Sequence, residues 1–195
     1  MFLYLVRHGE SVGNLMQTLH GQTDYPLTEK GLMQARAAAE KLRGISFTRC
    51  VSSDLIRARD TALVCLEGRN IALETTPDLR EQGVGYFEDI TMAEAEAQYP
   101  KELAAFLTDW HHNIAPGGEK SPAFMARVRR AVEDIVSRGE DTLMVGHNGS
   151  LTMTLYCLGL VDKSVLTKTV ASFRQGTVTT IEIKEGRARL IDMNR

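Results

Sequence analysis

The sequence predicts an α/β protein: a three-layer α/β/α sandwich around a mostly parallel central sheet, with a small helical lobe over one edge. Three observations carry this expectation. Phe2–Val6 and Thr142–Val145 are short apolar runs without alternation, as in strands buried on both faces. Amphipathic stretches alternate with such runs, the order that builds parallel sheets. The segment 83–120 breaks this order with glycines, prolines and helical sequence. At 195 residues, one domain spanning 1–195 is expected, with about 83–120 as a lobe or lid insert.

Each element follows from local signals. The first strand ends abruptly at Arg7-His8-Gly9-Glu10-Ser11, a polar, glycine-broken loop. Thr28 to Gly44 reads as a helix: Thr28 caps it, Leu32, Ala35, Ala39 and Leu42 form one face, and Gly44 stops it. A strand near Cys50-Val51 runs into Ser52-Ser53-Asp54, one of which caps a helix from Leu55 to about Leu66. Ile71–Thr75 is a third strand, and Pro77–Asp89 is loop. Thr91 to about Trp110 is helical with a break at Pro100, and His111–Lys120 is loop. Ser121 caps a helix with Pro122 at its first position, and Phe124, Val128, Ala131, Val132, Ile135 and Val136 continue the apolar stripe to Gly139. Thr142–Val145 is a strand and Leu151–Leu158 a buried helix. Val178–Ile183, the turn Glu185-Gly186 and Arg189–Met193 form a hairpin.

Composition excludes several classes. Apolar residues make up 43% and charged residues 25%, which excludes disorder, collagen and a long coiled coil. Against 25 Asp+Glu stand 23 Lys+Arg, so no nucleic-acid partner is expected. Cys50, Cys65 and Cys157 form no CxxC pair and read as reduced thiols. Only the six residues Met1–Val6 precede Arg7, too few for the core of a signal peptide, and no apolar run approaches a membrane span. The expectation is a cytoplasmic protein with no membrane partner; nothing in the sequence indicates its oligomeric state.

The chemistry lies where the strands end. In open α/β sheets, ligands bind beyond the carboxyl ends of the strands. Here those ends carry Arg7-His8-Gly9-Glu10, Ser52-Ser53-Asp54 with Arg57 one turn on, and Gly146-His147-Asn148-Gly149. If the strands are parallel, two histidines and two arginines converge, and Glu81 faces them from a loop. Two guanidiniums brought together call for an anion, and a phosphoryl group suits their planar forks. A neutral imidazole whose other nitrogen donates to a carbonyl is a nucleophile toward phosphorus. A carboxylic acid opposite can protonate the leaving oxygen.

The motif Leu5-Val6-Arg7-His8-Gly9-Glu10-Ser11 resembles the signature of the histidine phosphatase superfamily, which includes phosphoglycerate mutases. Asn14, Gly21–Gly31 with Gln34-Ala35, Ser52–Ala58 with Thr61-Ala62, Leu79-Arg80-Glu81 with Gly85 and Glu88, Pro116–Glu119 and Gly146-His147 follow in that family's order. The resemblance implies a phosphohistidine on His8, a phosphate pocket completed by Arg7, Arg57, His147 and Asn14, and Glu81 as proton donor. It also implies that His20 and Gly21 line the entrance, that Asn148 and the backbone N–H groups after His147 face the phosphate, and that no metal or organic cofactor is needed. Three positions depart from the family: Asn148 stands where glycine commonly follows the second histidine, Lys120 follows the Gly-Gly-Glu segment, and Asp89 replaces a glycine.

Plainer readings compete. Glu88, Asp78 and Asp89 lie near enough to replace Glu81 as the acid. His111 and His112 read as solvated or lobe-packing, His20 equally as loop filler. A metal held by His8, His147 and carboxylates conflicts with the adjacent arginines. Gly146–Ser150 is like a nucleophile elbow but has Asn148 at its centre. Arg127, Arg129, Arg130 and Arg138, interspersed with Glu133 and Asp134, read as a solvated helix face.

The function expected is metal-independent hydrolysis of a small phosphomonoester. The alternatives are phosphoglycerate mutase-type transfer and, from another class, a phospho-ligand-binding module. The short segment between Glu81 and His147 has one basic side chain, Lys101, in its centre and favours hydrolysis. Tyr86, Phe87 and Trp110 are expected to form a partly apolar substrate wall.

Overall fold

The computed structural model describes residues 1–109, 113–162 and 172–195. Trp110, His111 and His112 lie outside the described residues. In chain order the elements are β1 (Phe2–Arg7), α1 (Val12–Leu15), β2 (Thr18–Leu19), α2 (Glu29–Lys41), β3 (Arg49–Ser53), α3 (Ile56–Cys65), β4 (Leu73–Thr76), β5 (Ile90–Thr91), α4 (Met92–Gln98), α5 (Pro100–Thr108), α6 (Ser121–Arg138), β6 (Thr142–Gly146), α7 (Asn148–Cys157), β7 (Thr179–Lys184) and β8 (Arg187–Asp192).

Six strands form the main sheet in the order β4-β3-β6-β1-β7-β8. The pairings among β4, β3, β6 and β1 are parallel, and β7 and β8 close one side antiparallel. The unbroken apolar runs divide between two faces, as the two-residue period of a strand requires. Leu3, Leu5 and Met144 meet Phe124, Val128, Val132 and Ile135 of α6 and Leu151 and Leu155 of α7. Tyr4, Val6, Leu143 and Val145 meet Ala38 of α2 and Ala58, Ala62 and Cys65 of α3. Burying each larger aliphatic or aromatic side chain on these faces contributes roughly 1.5–3 kcal/mol. The three-layer α/β/α sandwich is therefore present, with helices on both sides of a mostly parallel sheet.

The helix signals hold with local adjustments. Thr28 caps α2 by accepting from the Gly31 N–H at 3.0 Å. Gly139 ends α6 in a left-handed conformation. Lys120, not Ser121, is the cap of α6, so Ser121 is already helical. The start of α3 differs more: Leu55 is the cap, and the Ile56 N–H donates to Asp24 at 2.7 Å. The cap expected from the neighbouring chain thus comes from a distant loop. Pro100 separates α4 from α5 as expected. The Glu185-Gly186 turn takes positive φ at both residues, matching a two-residue hairpin.

A separate small apolar cluster of Phe87, Ala95, Leu103 and Ala115 packs with Leu19, Val84, Ile90, Tyr99 and Phe106. The two-stranded pair β2–β5 joins it to the segment after β1. This cluster sits beside the carboxyl ends of the main sheet, where Phe106 and Leu107 of α5 border a cavity.

Candidate active site

Strand register assembles the site. Arg7 pairs with Gly146, so His8 and His147 are the next residues on adjacent parallel strands. Their ring centroids lie 5.0 Å apart. Arg7, His8, Asn14, His20, Gly21, Arg57, Glu81, His147 and Asn148 all line one cavity of about 430 Å³. That volume falls within the ~300–1,000 Å³ typical of small-molecule sites.

His8 is set up as a nucleophile. Its Nδ1 lies 2.7 Å from the Gly9 carbonyl oxygen, which can only accept, so Nδ1 carries the proton. Nε2 then keeps its lone pair. The Gly9 N–H donates to Thr61 Oγ1 at 3.1 Å, and Thr61 Oγ1 donates to the Arg57 carbonyl at 2.7 Å, which ties this loop to α3. Burial, then the guanidiniums of Arg57 and Arg7, holds the His8 imidazole well below the usual histidine range. Burial and Arg57, followed by His8, do the same for His147. Both rings are neutral near pH 7. His147 Nε2 shares a hydrogen bond with Ser53 Oγ at 2.9 Å, while its buried Nδ1 has no partner among the described residues.

This has a stability consequence. An unfolded histidine takes a proton near pH 6.5, whereas these folded ones do so only at lower pH. The unfolded chain therefore binds more protons as pH falls below about 6.5. The phosphate-free protein is expected to lose Tm between pH 7 and 5.5, and His8→Asn to lose less. Scanning fluorimetry across this range checks it; an equal fall in both proteins would refute the assignment.

The cations face the same space. Arg57 is 1% exposed and donates to the Thr23 and Gly21 carbonyls at 2.8 and 2.9 Å. Arg7 donates to the Phe173 carbonyl at 3.0 Å. Among the described residues neither arginine has a carboxylate within ion-pair distance, and the Nε of each is buried without a partner. Burial pushes both guanidiniums below the usual arginine range, with Glu81 partly opposing it. A cavity holding two unpaired cations and an orphaned imidazole nitrogen suits an anion with several oxygens.

Glu81 is the acid that reaches this cavity. Its Oε2 accepts from the Gly149 N–H at 2.9 Å and its Oε1 from the Gln82 N–H at 3.0 Å. The competing acids are occupied elsewhere. Glu88 holds the Gln22, Thr23 and Val84 N–H groups, Asp78 pairs with Arg130, and Asp89 accepts from the Tyr25 hydroxyl. Gly149 leaves room for the carboxylate: a methyl group there would fall inside contact distance of Glu81 Oε1. Gly149→Ala is expected to lower kcat/KM on alkyl phosphates by roughly a hundredfold, the cost of a displacement near 1 Å. It should leave inhibition by inorganic phosphate nearly unchanged; weakened phosphate inhibition would locate the damage elsewhere.

Other sites take modified roles. Asn14 Oδ1 accepts from the Ser11 N–H and hydroxyl at 3.1 Å and from Gln175 Nε2 at 3.2 Å, so its amide NH₂ is the end left for the cavity. Asn148 lines the cavity, but its Oδ1 accepts from the Phe173 N–H at 3.0 Å. The Gly149 N–H serves Glu81 instead of the open pocket. His20 directs Nδ1–H to the Thr18 carbonyl at 2.7 Å and lines the entrance.

Two expectations fail. Phe87 is fully buried in the lobe cluster and Tyr86 is 62% exposed outside the cavity; the apolar wall is instead Leu19, Val84, Phe106 and Leu107. Arg127 is no solvated residue: it is nearly buried and paired with Glu119. Phe173 and Gln175 escape sequence reading, and Ser53 and Thr61 are named there without these roles, because they act through contacts distant in the chain. Among the described residues no group of three or more His, Cys, Asp or Glu side chains is arranged to hold a metal ion. Nor is any described helix long and apolar enough to cross a membrane.

The chain resembles known proteins over essentially its whole length. The family model "Histidine phosphatase superfamily (branch 1)" matches residues 3–195. The adenosylcobalamin/α-ribazole phosphatase of Salmonella typhimurium is 37% identical, over 100% of this chain and 96% of its own. A putative α-ribazole-5′-P phosphatase from Escherichia coli superposes with a TM-score of 0.90 at 28% identity, over 100% and 96% of the two chains. A mycobacterial glucosyl-3-phosphoglycerate phosphatase in complex with VO3 superposes with a TM-score of 0.87 at 28% identity, over 99% and 98%.

Proposed function

Because this chain belongs to branch 1 of the histidine phosphatase superfamily, we propose that it is a metal-independent phosphomonoesterase in which His8 carries the phosphoryl group from substrate to water. The observation that carries this reading is the neutral His8 ring, its Nδ1–H on the Gly9 carbonyl, beside two arginines that have no carboxylate within ion-pair distance among the described residues.

The substrate phosphoryl group sits against Arg7, Arg57, His147 and the Asn14 amide. Charge-assisted hydrogen bonds of this kind contribute roughly 1.5–3 kcal/mol each. They act most where charge spreads over the equatorial oxygens in the transition state. The His8 Nε2 lone pair forms the N–P bond as the P–O bond to the organic group breaks. Glu81 gives its proton to the leaving oxygen. Water then attacks phosphorus, Glu81 takes the water proton, the N–P bond breaks and inorganic phosphate leaves.

The organic part of the substrate meets Leu19, Val84, Phe106 and Leu107. Arg7 and Arg57 are the only Lys or Arg side chains among the described residues lining the cavity, and both serve the phosphate. A substrate carboxylate beside the phosphate would find no cation of its own, which favours hydrolysis over phosphoglycerate mutase chemistry. The preferred substrate has an uncharged, largely apolar or aromatic group next to the phosphate. Relatives named α-ribazole phosphatases support this choice. The α5-bearing lobe acts as a lid over that group, within a single domain that works in the cytoplasm.

A phosphate-release screen over aromatic, sugar and carboxylated phosphomonoesters tests the reading, with 3-phosphoglycerate isomerisation measured alongside. Aromatic and nucleoside-like esters are expected to lead, with p-nitrophenyl phosphate hydrolysed equally with and without chelator. Isomerisation faster than hydrolysis, or activity lost to chelator and restored by a divalent ion, would overturn it.

A further inference from the structure

We propose that Arg127, locked to Glu119, is a positioning residue that fixes Glu81 for proton transfer. The loop carrying Glu81 has little regular structure of its own, so something outside it must set its path. Arg127 reaches it from α6. One terminal nitrogen donates to the carbonyls of Arg80 at 2.6 Å, Asp78 at 3.0 Å and Pro77 at 3.4 Å. The other donates to the Glu81 carbonyl at 2.8 Å and to Glu119 Oε2 at 2.8 Å, and Nε donates to Glu119 Oε1 at 2.7 Å. The guanidinium lies over the Phe124 ring, 4.8 Å from its centroid.

Glu119 completes the clamp on the far side of Glu81. Its Oε2 accepts from the Gly83 N–H at 3.2 Å, its own N–H donates to the Gly83 carbonyl at 2.8 Å, and its carbonyl accepts from Gln82 Nε2 at 2.9 Å. The main chain is therefore held at residues 80, 81 and 83, and from this anchored segment the Glu81 carboxylate accepts from the Gly149 and Gln82 N–H groups. Arg80 adds a bidentate pair to Asp54 at 2.6–2.7 Å. An arginine suits this task because its planar fork serves carbonyls and a carboxylate together, which a lysine cannot do. Neither Arg127 nor Glu119 lines the cavity, so both act through Glu81.

The inference rests on the reading of Glu81 as proton donor, and the test separates the two. Turnover of p-nitrophenyl, phenyl and n-butyl phosphate is compared in wild type, Glu81→Gln, Arg127→Ala, Arg127→Lys, Glu119→Gln and the double variant Glu81→Gln/Arg127→Ala. Arg127→Ala is expected to slow butyl phosphate at least about tenfold more than p-nitrophenyl phosphate, within the range of general acid catalysis. Inhibition by inorganic phosphate should stay unchanged, and the double variant should be no slower than Glu81→Gln alone. If Arg127→Ala gives no cooperative melt, Arg127→Lys and Glu119→Gln are judged by the same criteria. Equal losses on all three esters, no loss, or losses that add fully to those of Glu81→Gln would overturn the clamp. A flat leaving-group dependence in Glu81→Gln itself would instead remove Glu81 from the proton-donor role.

Discussion

His8→Ala is expected to abolish turnover, lowering kcat by roughly 10⁵–10⁶, the scale on which loss of a covalent nucleophile is felt. The adjacent His147 does not substitute for it. His147 shares its Nε2 with Ser53 and lacks the carbonyl partner that fixes the His8 tautomer. Rapid quenching with radiolabelled substrate should trap an acid-labile, base-stable phosphoenzyme in wild type and none in the variant. The variant should still bind inorganic phosphate, since Arg7, Arg57 and His147 remain. A phosphoenzyme trapped in His8→Ala would move the nucleophile elsewhere.

Glu81→Gln carries the second large effect. On an alkyl phosphate, whose leaving oxygen must be protonated, kcat is expected to fall about a hundred- to ten-thousandfold. Nitrophenolate leaves without that help, so its ester should be slowed far less in a pre-steady-state burst. The amide preserves the size of the side chain and can still accept from the Gly149 N–H, which keeps packing effects small. A uniform loss on both esters would assign Glu81 to phosphate binding instead of proton transfer.

Most of the sheet could be read locally. Phe2–Val6 and Thr142–Val145 declare themselves because both faces of those strands are buried. Parallel register brings His8 beside His147 and sets the end of β3, from which the first turn of α3 carries Arg57 toward them. What stayed illegible is set by long-range contacts or by very short elements. Helix α1 and the pair β2–β5 have four and two residues per element, too few to show a period. Arg127 resembles any arginine on a charged helix face until the carbonyls of a loop some fifty residues away come within reach. Asp24 capping α3, and Phe173 bridging Arg7 with Asn148, are likewise invisible without tertiary structure. The apolar wall is not legible either, because an aromatic pair in a loop carries no sign of which residue turns inward.

The strand order also dictates when the pocket can exist. Synthesis delivers β1, β3 and β4 early, but β6 belongs between β3 and β1, and β7 on the other flank of β1. A nascent chain ending before Thr142 thus has an apolar N-terminal strand with two open flanks and no partner for either. Closing loops of this length is slow, because entropy is lost long before the contacts that reward it. Phosphate affinity should appear only with the final cooperative step of refolding, so its onset can report the completed fold.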